Sequence, residues 1–99
     1  MQVWLTRQAE ADLERIGDFI AQDNPQRALT FIAELREKCL TLAEFPEAFP
    51  LVPRYQQLGV RRRAHGNYLI FYAIDGADIF VLHVLQGAMD YEAILFPGA

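Results

Sequence analysis

The side chains that could carry chemistry in this 99-residue chain are few. The two histidines, His65 and His83, have no cysteine pair and no HxxH spacing beside them, so no metal site is expected. The sequence contains no serine, which excludes a serine nucleophile, and its glycines are scattered rather than gathered in a phosphate-binding loop. Cys39, the single cysteine, falls in an apolar helical stripe and is interpreted as a core residue. We therefore expect neither a metal nor another cofactor.

One metal-free reaction stays open on residue types alone. Cleavage of RNA needs a base for the 2′-hydroxyl proton, a cation for the phosphate and an acid for the leaving oxygen. His83, Arg61 and Tyr72 are suitable types, and they fall on neighbouring predicted strands. A lone histidine on an apolar strand is more often a structural residue, however. We therefore assign no catalytic residue from the sequence.

The charge is unevenly distributed along the chain. The formal net charge is −4, and residues 1–47 carry nine acids against five bases. Residues 48–74 carry no acid, and they contain a run of three arginines, Arg61–Arg63, close to His65. The run has two interpretations: charges that protect a strand edge, or a contact with nucleic acid or an acidic partner. The overall acidity argues against non-specific or direct sequence-specific DNA binding by this chain alone.

The first half of the chain has the pattern of a strand followed by two helices. A short apolar strand is expected at residues 2–6, and Thr6 is a suitable N-cap for a helix that runs to about residue 22. Asn24 then caps a second helix, of which Pro25 is the first residue, and this helix runs to about residue 44. Two helices joined so closely predict an antiparallel hairpin.

The second helix has two apolar lines. The main stripe predicts its core contacts and contains Ala28, Ile32, Leu35, Cys39 and Leu42. A second line, about 100° further around the helix, contains Leu29, Ala33 and Leu40. This second line either widens the buried face or forms part of a groove for a partner, and the sequence leaves both interpretations open.

A proline-rich connector at residues 45–53 leads into three strands between residues 59 and 85. The turn signals are Gly66-Asn67 and Asp75-Gly76, which suit tight hairpin loops. The middle strand, residues 68–74, carries no charge on either face, which is typical of a sheet covered on both sides. A chain of this length has little material for covering two faces. We therefore expect an obligate partner or a dimer.

The fold class predicted is α+β, in the order β-α-α-β-β-β, with a helical hairpin packed on a mainly antiparallel sheet and a short C-terminal tail. Residues 1–99 are expected to form one domain. The N-terminus has no signal-peptide pattern, and no apolar run approaches the length of a membrane span. The prediction is a cytoplasmic protein with no membrane partner.

Over nearly its whole length the sequence resembles the ParE/RelE superfamily of bacterial type II toxins, most closely the ParE branch. Each matching piece is weak alone, but their order and spacing are specific. In order, the pieces are Ala9-xx-Asp12-Leu13-xx-Ile16-xx-Phe19-Ile20-Ala21, Asn24-Pro25-xx-Ala28-xx-Phe31-Ile32, Leu42-xx-Phe45-Pro46, Gly59-x-Arg61, Gly66-Asn67-Tyr68-Leu69-Ile70-Phe71-Tyr72 and Val84-Leu85-x-Gly87-xx-Asp90.

The resemblance implies a toxin that a cognate antitoxin neutralises, with a ParD-like protein as one candidate for that partner. ParE-type members act on DNA gyrase and so stop replication and growth. RelE-type members cut mRNA in the ribosome, which is the alternative function. A further alternative is a degenerate, non-toxic module that only binds an antitoxin, because positions 83, 86 and 89 carry His, Gln and Met where the ParE-type pattern commonly has Arg, His and Arg.

The residue patterns and the resemblance together give two sets of expected site residues. The residues expected to contact the target are Arg61, Arg62, Arg63, Tyr72, His83, Gln86 and Asp90. The residues expected to contact the antitoxin are Leu29, Ala33, Leu40, Tyr68 and Ile70. Within the first set, Arg61 and Asp90 match the family pattern and are expected to form an ion pair as a structural tie.

Overall fold

The structure, a computed structural model, describes residues 1–98. Its helices and strands follow the predicted order, with a third short helix near the C-terminus. They are β1 (Gln2–Leu5), α1 (Arg7–Ala21), α2 (Pro25–Leu40), β2 (Val60–His65), β3 (Tyr68–Asp75), β4 (Asp78–Gln86) and α3 (Tyr91–Leu95). Two 3₁₀ turns, Thr41–Ala43 and Gln56–Leu58, flank the proline-rich connector.

The strands form one four-stranded sheet in the order β1-β4-β3-β2. The β2–β3 and β3–β4 pairs are antiparallel, whereas β1 is parallel to β4, so the α+β prediction of a mainly antiparallel sheet is confirmed. The β3–β4 register shifts between Phe71 and Tyr72, which pair with His83 and Val81. One extra residue of β4, Leu82, therefore forms a bulge directly before His83.

Both predicted helix caps are present. The Thr6 hydroxyl accepts a hydrogen bond from the Ala9 amide, and the Asn24 side chain accepts one from the Arg27 amide. The second helix ends at Leu40, short of the predicted residue 44, and continues as a 3₁₀ turn. The second hairpin loop consists of Gly76 and Ala77 rather than Asp75-Gly76, because Asp75 still pairs with Asp78.

The inner face of the sheet packs against the helical hairpin. The apolar stripe of α1 contributes Ala9, Leu13 and Ile16, and α2 contributes a buried stripe that includes Cys39. The remaining buried members of this cluster are Phe31, Leu35, Leu42, Ile70, Tyr72, Ile79, Val81 and Val84. Cys39 is fully buried, as its position in the stripe predicted.

The outer face of the sheet is covered by the connector and by the C-terminal segment. Val52 from the connector is buried with Val60, Phe71 and Leu85, and Tyr91 and Phe96 pack against this second cluster. The connector also pairs along the free edge of β2: the Arg62 amide donates to the Pro50 carbonyl, and the Val52 amide donates to the Val60 carbonyl. The chain thus covers much of both faces itself.

Several large apolar side chains nevertheless lie on the surface. Leu29 is 75% exposed and Leu40 54%, so the interpretation of the second α2 line as part of a buried face is wrong. Phe19 on α1 and Phe45 in the connector are also more than half exposed, and Trp4 is half exposed. Ala33 is exposed as well. Within residues 1–98 the large apolar side chains left exposed are spread over the helical hairpin, the segment between α2 and β2 and both ends of the chain, and Trp4 is the one that lies on a strand.

Candidate functional site

The three consecutive arginines do not form one exposed basic patch. Alternation along β2 directs Arg61 and Arg63 to the helix side of the sheet and Arg62 to the other side. Arg62 donates to the Tyr91 hydroxyl at 2.8 Å, which attaches α3 to the outer face. All three guanidinium groups are partly buried and bond within the chain. The three arginines thus hold parts of the chain together, and their contact with a target stays a prediction.

Arg61 and Arg63 hold the connector and the end of α2. Arg61 donates to the carbonyl oxygen of Phe49 at 2.7 Å. Arg63 donates to the carbonyl oxygen of Lys38 and to the Thr41 hydroxyl, both at 3.0 Å, and its guanidinium lies 4.7 Å from the centre of the Phe49 ring. The last carbonyl groups of a helix lack partners within the helix and carry partial negative charge. The Arg63 guanidinium, which bonds the Lys38 carbonyl, therefore stabilises the C-terminal end of α2.

The expected ion pair between Arg61 and Asp90 is absent from residues 1–98. The Arg61 guanidinium is committed to backbone carbonyls of the connector, at Glu47 and Phe49. Asp90 is exposed and precedes α3, and it makes no salt bridge within the described chain. The prediction was wrong because Arg61 points to the inner face, where carbonyl oxygens of the connector accept its hydrogen bonds.

Tyr72 is fully buried in the inner cluster. Its hydroxyl donates to the carbonyl oxygen of Pro46 at 2.7 Å. Burial raises the pKa of the Tyr72 phenol, and the nearby charges of Arg61 and Arg63 oppose that rise only in part. A side chain with no exposed surface does not contact a target, so Tyr72 leaves the set of candidate target residues.

Of the candidate target residues, His83 is the one that contacts a buried carboxylate. Its Nδ1 atom lies 2.7 Å from Oδ2 of Asp12 on α1, and the same carboxylate oxygen accepts the Val84 amide at 2.9 Å. The other oxygen of Asp12 accepts from Arg15. Asp12 is the one buried charged residue of the described chain, with 3% of its surface exposed. Sequence reasoning assigned it no role, although its place between Ala9 and Leu13 of the apolar stripe was the available signal.

A cleft of about 200 Å³ lies between the second half of α1 and the end of β4, and its lining includes Arg15 and Val84, which also bond Asp12. Arg15 and Phe19 form its α1 side, and Gln86 and Met89 form part of the opposite side. Phe19 is 63% exposed and Met89 42%, so both present apolar surface at the cleft. Tyr68 also lines it. The cleft thus combines a cation, exposed apolar side chains and an amide, which suits a protein surface better than a small molecule.

The structure does not assemble the acid–base set that RNA cleavage would need. His83 bonds Asp12 of α1, Arg61 bonds the connector, and the Tyr72 hydroxyl bonds Pro46. A buried phenol that already donates its proton to a carbonyl is unsuited to protonate a leaving oxygen. Within residues 1–98, no group of three or more His, Cys, Asp or Glu side chains is arranged to hold a metal ion.

The candidate antitoxin residues fall into two groups. Leu29, Ala33 and Leu40 lie exposed on α2, and Tyr68 is partly exposed at the cleft. Ile70, by contrast, is fully buried under the helical hairpin, because it faces the inner side of β3. Ile70 therefore belongs to the core and leaves the set of candidate contacts.

Comparisons with known proteins identify the family and the fold of this chain. A family model described as the ParE toxin of the type II toxin–antitoxin system parDE matches residues 3–91. The chain belongs to this family. That match begins at the second residue of β1, covers all the later elements through β4 and reaches the first residue of α3. No curated protein gives a significant match to the sequence.

Two solved structures share the fold of this ParE-family chain. One is described as the chromosomal ParDE toxin–antitoxin system from P. aeruginosa, with a TM-score of 0.74 and 24% identity, covering 87% of this chain and 95% of the other. The second is the RelBE2 toxin–antitoxin complex from Mycobacterium tuberculosis, with a TM-score of 0.64 and 22% identity, covering 86% and 95%. None of the helices in residues 1–98 has the length and apolar character needed to span a membrane.

Proposed function

We propose that this chain is a toxin that a cognate antitoxin neutralises, and that its target is DNA gyrase. The observation that carries the proposal is the ParE-family match over residues 3–91. Gyrase is favoured over a ribosomal mRNA target because the residues suited to acid–base cleavage are separately committed. The proposed activity is therefore binding and inhibition rather than cleavage by this chain.

The uncovered apolar surface of α2 supports the proposed binding of an antitoxin. Leu29, Ala33 and Leu40 place exposed side chains along about three turns of α2, and a contiguous apolar patch left open on a small domain often marks a contact with a partner. The similar folds from P. aeruginosa and Mycobacterium tuberculosis were both solved from toxin–antitoxin systems. We assign the exposed α2 line and Tyr68 to the antitoxin contact, within one cytoplasmic toxin domain.

We assign the proposed contact with gyrase to the cleft between α1 and β4. Of the target residues expected from the sequence, Gln86 lines this cleft, and His83 and Asp90 are sequence neighbours of its lining residues Val84 and Met89. Phe19, Met89 and Arg15 line the same cleft and extend the set, although none of them was among the target residues expected from the sequence. Arg62, on the outer face, forms no part of this surface in the proposal.

A two-part experiment tests the proposal. Expression of the chain alone should stop growth, and co-expression of the protein encoded by the adjoining reading frame should restore it. In a supercoiling assay, the purified chain should inhibit gyrase and yield trapped cleavage complexes, and the antitoxin should reverse both effects. Normal growth at verified protein levels would remove the toxin claim.

The assay also distinguishes the other two functions. Site-specific mRNA cleavage in a translation reaction, with gyrase unaffected, would point to the RelE-type activity. Tight antitoxin binding without inhibition of gyrase or translation would identify a non-toxic binding module. The test for a non-toxic module is needed because His83 and Gln86 stand where the ParE-type pattern commonly has Arg and His.

A further inference from the structure

The four-stranded sheet has one edge that the described chain leaves unpaired. At the β2 edge, the connector supplies the missing neighbour through the backbone hydrogen bonds of Pro50 and Val52. At the opposite edge, β1 pairs with β4 on one side only. Within residues 1–98, no backbone hydrogen bond joins the other side of Gln2–Leu5 to the rest of the chain. The free edge of β1 is therefore a surface that the fold itself does not use.

The free main-chain groups of this edge belong to Val3 and Leu5. The Thr6 amide donates to the Val81 carbonyl, so the main-chain groups of Thr6 point towards β4. Because these groups alternate in direction along a strand, those of Trp4 also point to β4, whereas those of Val3 and Leu5 point away from the sheet. Each of these two residues thus offers an N–H donor and a carbonyl acceptor to a further strand.

The β1 edge is short, but it lacks the other features that protect sheet edges from pairing. Gln2–Leu5 contains no charge, no proline and no bulge. Val3 and Leu5 pack against the inner cluster, so the Trp4 side chain between them lies on the outer face, where it is 50% exposed. Its neighbour on β4, Phe80, is also partly exposed. A strand added at this edge would therefore cover apolar surface as well as satisfy backbone groups.

We infer that a second copy of this chain occupies the edge, and that the two β1 strands pair antiparallel about a two-fold axis at Trp4. In this arrangement Val3 lies opposite Leu5 of the second copy, and Trp4 lies opposite Trp4. The two sheets then form one continuous sheet with the helices of both copies on the same face. The inference concerns self-association, and it does not depend on the proposed function.

The strand is complementary to itself in this register. Each pair of Val3 with Leu5 exchanges both main-chain hydrogen bonds, so every outward-pointing group of the two strands is satisfied. In a register centred on Val3, Leu5 would lie opposite Met1, and in one centred on Leu5, Val3 would lie opposite Arg7. Both of these partners are outside β1. The Trp4 pair occupies the position where opposite Cα atoms lie closest, about 4.5 Å apart, which favours contact between the two rings.

The charges at the ends of β1 also suit a second copy. Gln2 lies beside Asp78 of β4, and antiparallel pairing brings Arg7 of the second copy to this end of the strand. Neither Asp78 nor Arg7 makes an ion pair within residues 1–98. Two strand spacings, roughly 10 Å, separate the two positions, which is close to a Debye length at physiological salt. Opposite charges therefore lie near each other at both ends of the paired strands.

The test measures self-association of the purified chain by sedimentation equilibrium. Because the paired strands are short, the dimer should be weak, and concentrations from about 1 µM to about 1 mM cover the range expected for a small interface. Trp4 is the only tryptophan of the chain, so its fluorescence reports this position alone. Its emission should move to shorter wavelength over the same concentration range in which the dimer forms, because pairing removes water from the ring.

Two charge variants test the register. Trp4→Lys and Trp4→Glu each place like charges opposite one another in a dimer, so each should weaken self-association at least about tenfold. An equimolar mixture of the two variants places lysine opposite glutamate and should recover much of the association. Leu58→Lys is the matched control, because Leu58 is 51% exposed but lies outside β1. It should associate like the unchanged chain, and circular dichroism checks that all the variants fold.

The outcomes separate this edge from other surfaces. A chain that stays monomeric at every concentration, or a dimer that both Trp4 variants retain, would overturn the inference. Folded Trp4 variants that fail to associate when mixed would overturn the proposed register. Amide exchange of Val3 and Leu5 in the unchanged chain needs no variant, and it should slow as the dimer forms. If exchange at these residues slows only when the antitoxin is added, the edge binds a strand of the antitoxin, and the inference falls while the proposed function stands.

Discussion

The imidazole of His83 and the carboxylate of Asp12 lie 2.7 Å apart, joining the end of β4 to the middle of α1. The same carboxylate accepts the amide of Val84 at 2.9 Å. Because β1 pairs with β4 only as far as Val81, this part of the β4 edge has no strand beside it. Asp12 thus takes the role of a missing strand neighbour, and it also orients His83 with Nδ1 towards the helix.

Asp12→Ala should destabilise the chain strongly. The change leaves the Val84 amide without an acceptor and removes the partner of His83, and both groups are largely buried. Losses of this kind cost about 3 kcal/mol in free energy of unfolding. Urea unfolding at neutral pH measures the effect, with Asp18→Ala as a control because Asp18 is an exposed carboxylate on the same helix. A change in Asp12→Ala as small as the control's would contradict the assigned role.

Local signals in the sequence were sufficient to predict most of the fold. The caps at Thr6 and Asn24, the loop at Gly66-Asn67 and the uncharged middle strand each depend on a residue's own conformational or hydrophobic preference. Those preferences agree with the tertiary structure here, which is typical of sequences that specify one fold. The parallel pairing of β1 with β4 was not predicted, because it joins segments at opposite ends of the chain.

The candidate site was less predictable, for a physical reason. Which way a side chain on a strand points depends on register, and the bulge at Leu82 changes that register just before His83. The predicted pairing of Arg61 with Asp90 failed because the connector approaches Arg61, and a proline-rich segment gives no periodic signal of its path. Composition identified chemically suitable residues, but it could not place them together.

Arg63→Met should weaken the junction between α2 and the sheet. The guanidinium donates to the Lys38 carbonyl and the Thr41 hydroxyl, and it stacks on Phe49. Methionine keeps much of the apolar stem but supplies no donor, so we expect a loss of about 2 kcal/mol in unfolding free energy. Thermal unfolding provides the measurement.

The matched control for Arg63 is Arg54→Met. Arg54 pairs with Glu92 at the surface, where water and salt screen the charges, and its side chain is 74% exposed. Its replacement should leave the midpoint of unfolding nearly unchanged. Equal effects of the two substitutions would show that the contacts of Arg63 add no more stability than a surface ion pair.

The thiol of Cys39 should make the chain less stable at alkaline pH. Burial raises the pKa of Cys39 from 9.0 to about 12, whereas the unfolded chain keeps the ordinary value. The unfolded state therefore releases a proton before the folded state does. The stabilising contribution is fully present below pH 9 and is lost progressively as the pH rises towards 12, at about 1.4 kcal/mol per pH unit.

Urea unfolding at pH 8, 9 and 10 measures this loss. Cys39→Ala is the control: it should be less stable at every pH because it leaves a small cavity, but its stability should fall less steeply above pH 9. Tyr72 and the surface groups titrate in both proteins, so the difference in slope reports the thiol alone. Identical slopes would mean that Cys39 ionises as easily in the folded chain as in the unfolded one.

Phe19→Ala should weaken the inhibition of gyrase while leaving the stability of the chain nearly unchanged. Phe19 is 63% exposed at the cleft beside Arg15 and Met89, so its removal costs little packing within the chain. If the cleft contacts gyrase, an aromatic side chain at its rim should contribute strongly to binding, and its loss should weaken inhibition of supercoiling about tenfold or more. Phe45→Ala is the control, because Phe45 is equally large and 67% exposed but lies in the connector. Inhibition by both variants at the level of the unchanged chain, with melting temperatures also unchanged, would move the target surface away from this cleft.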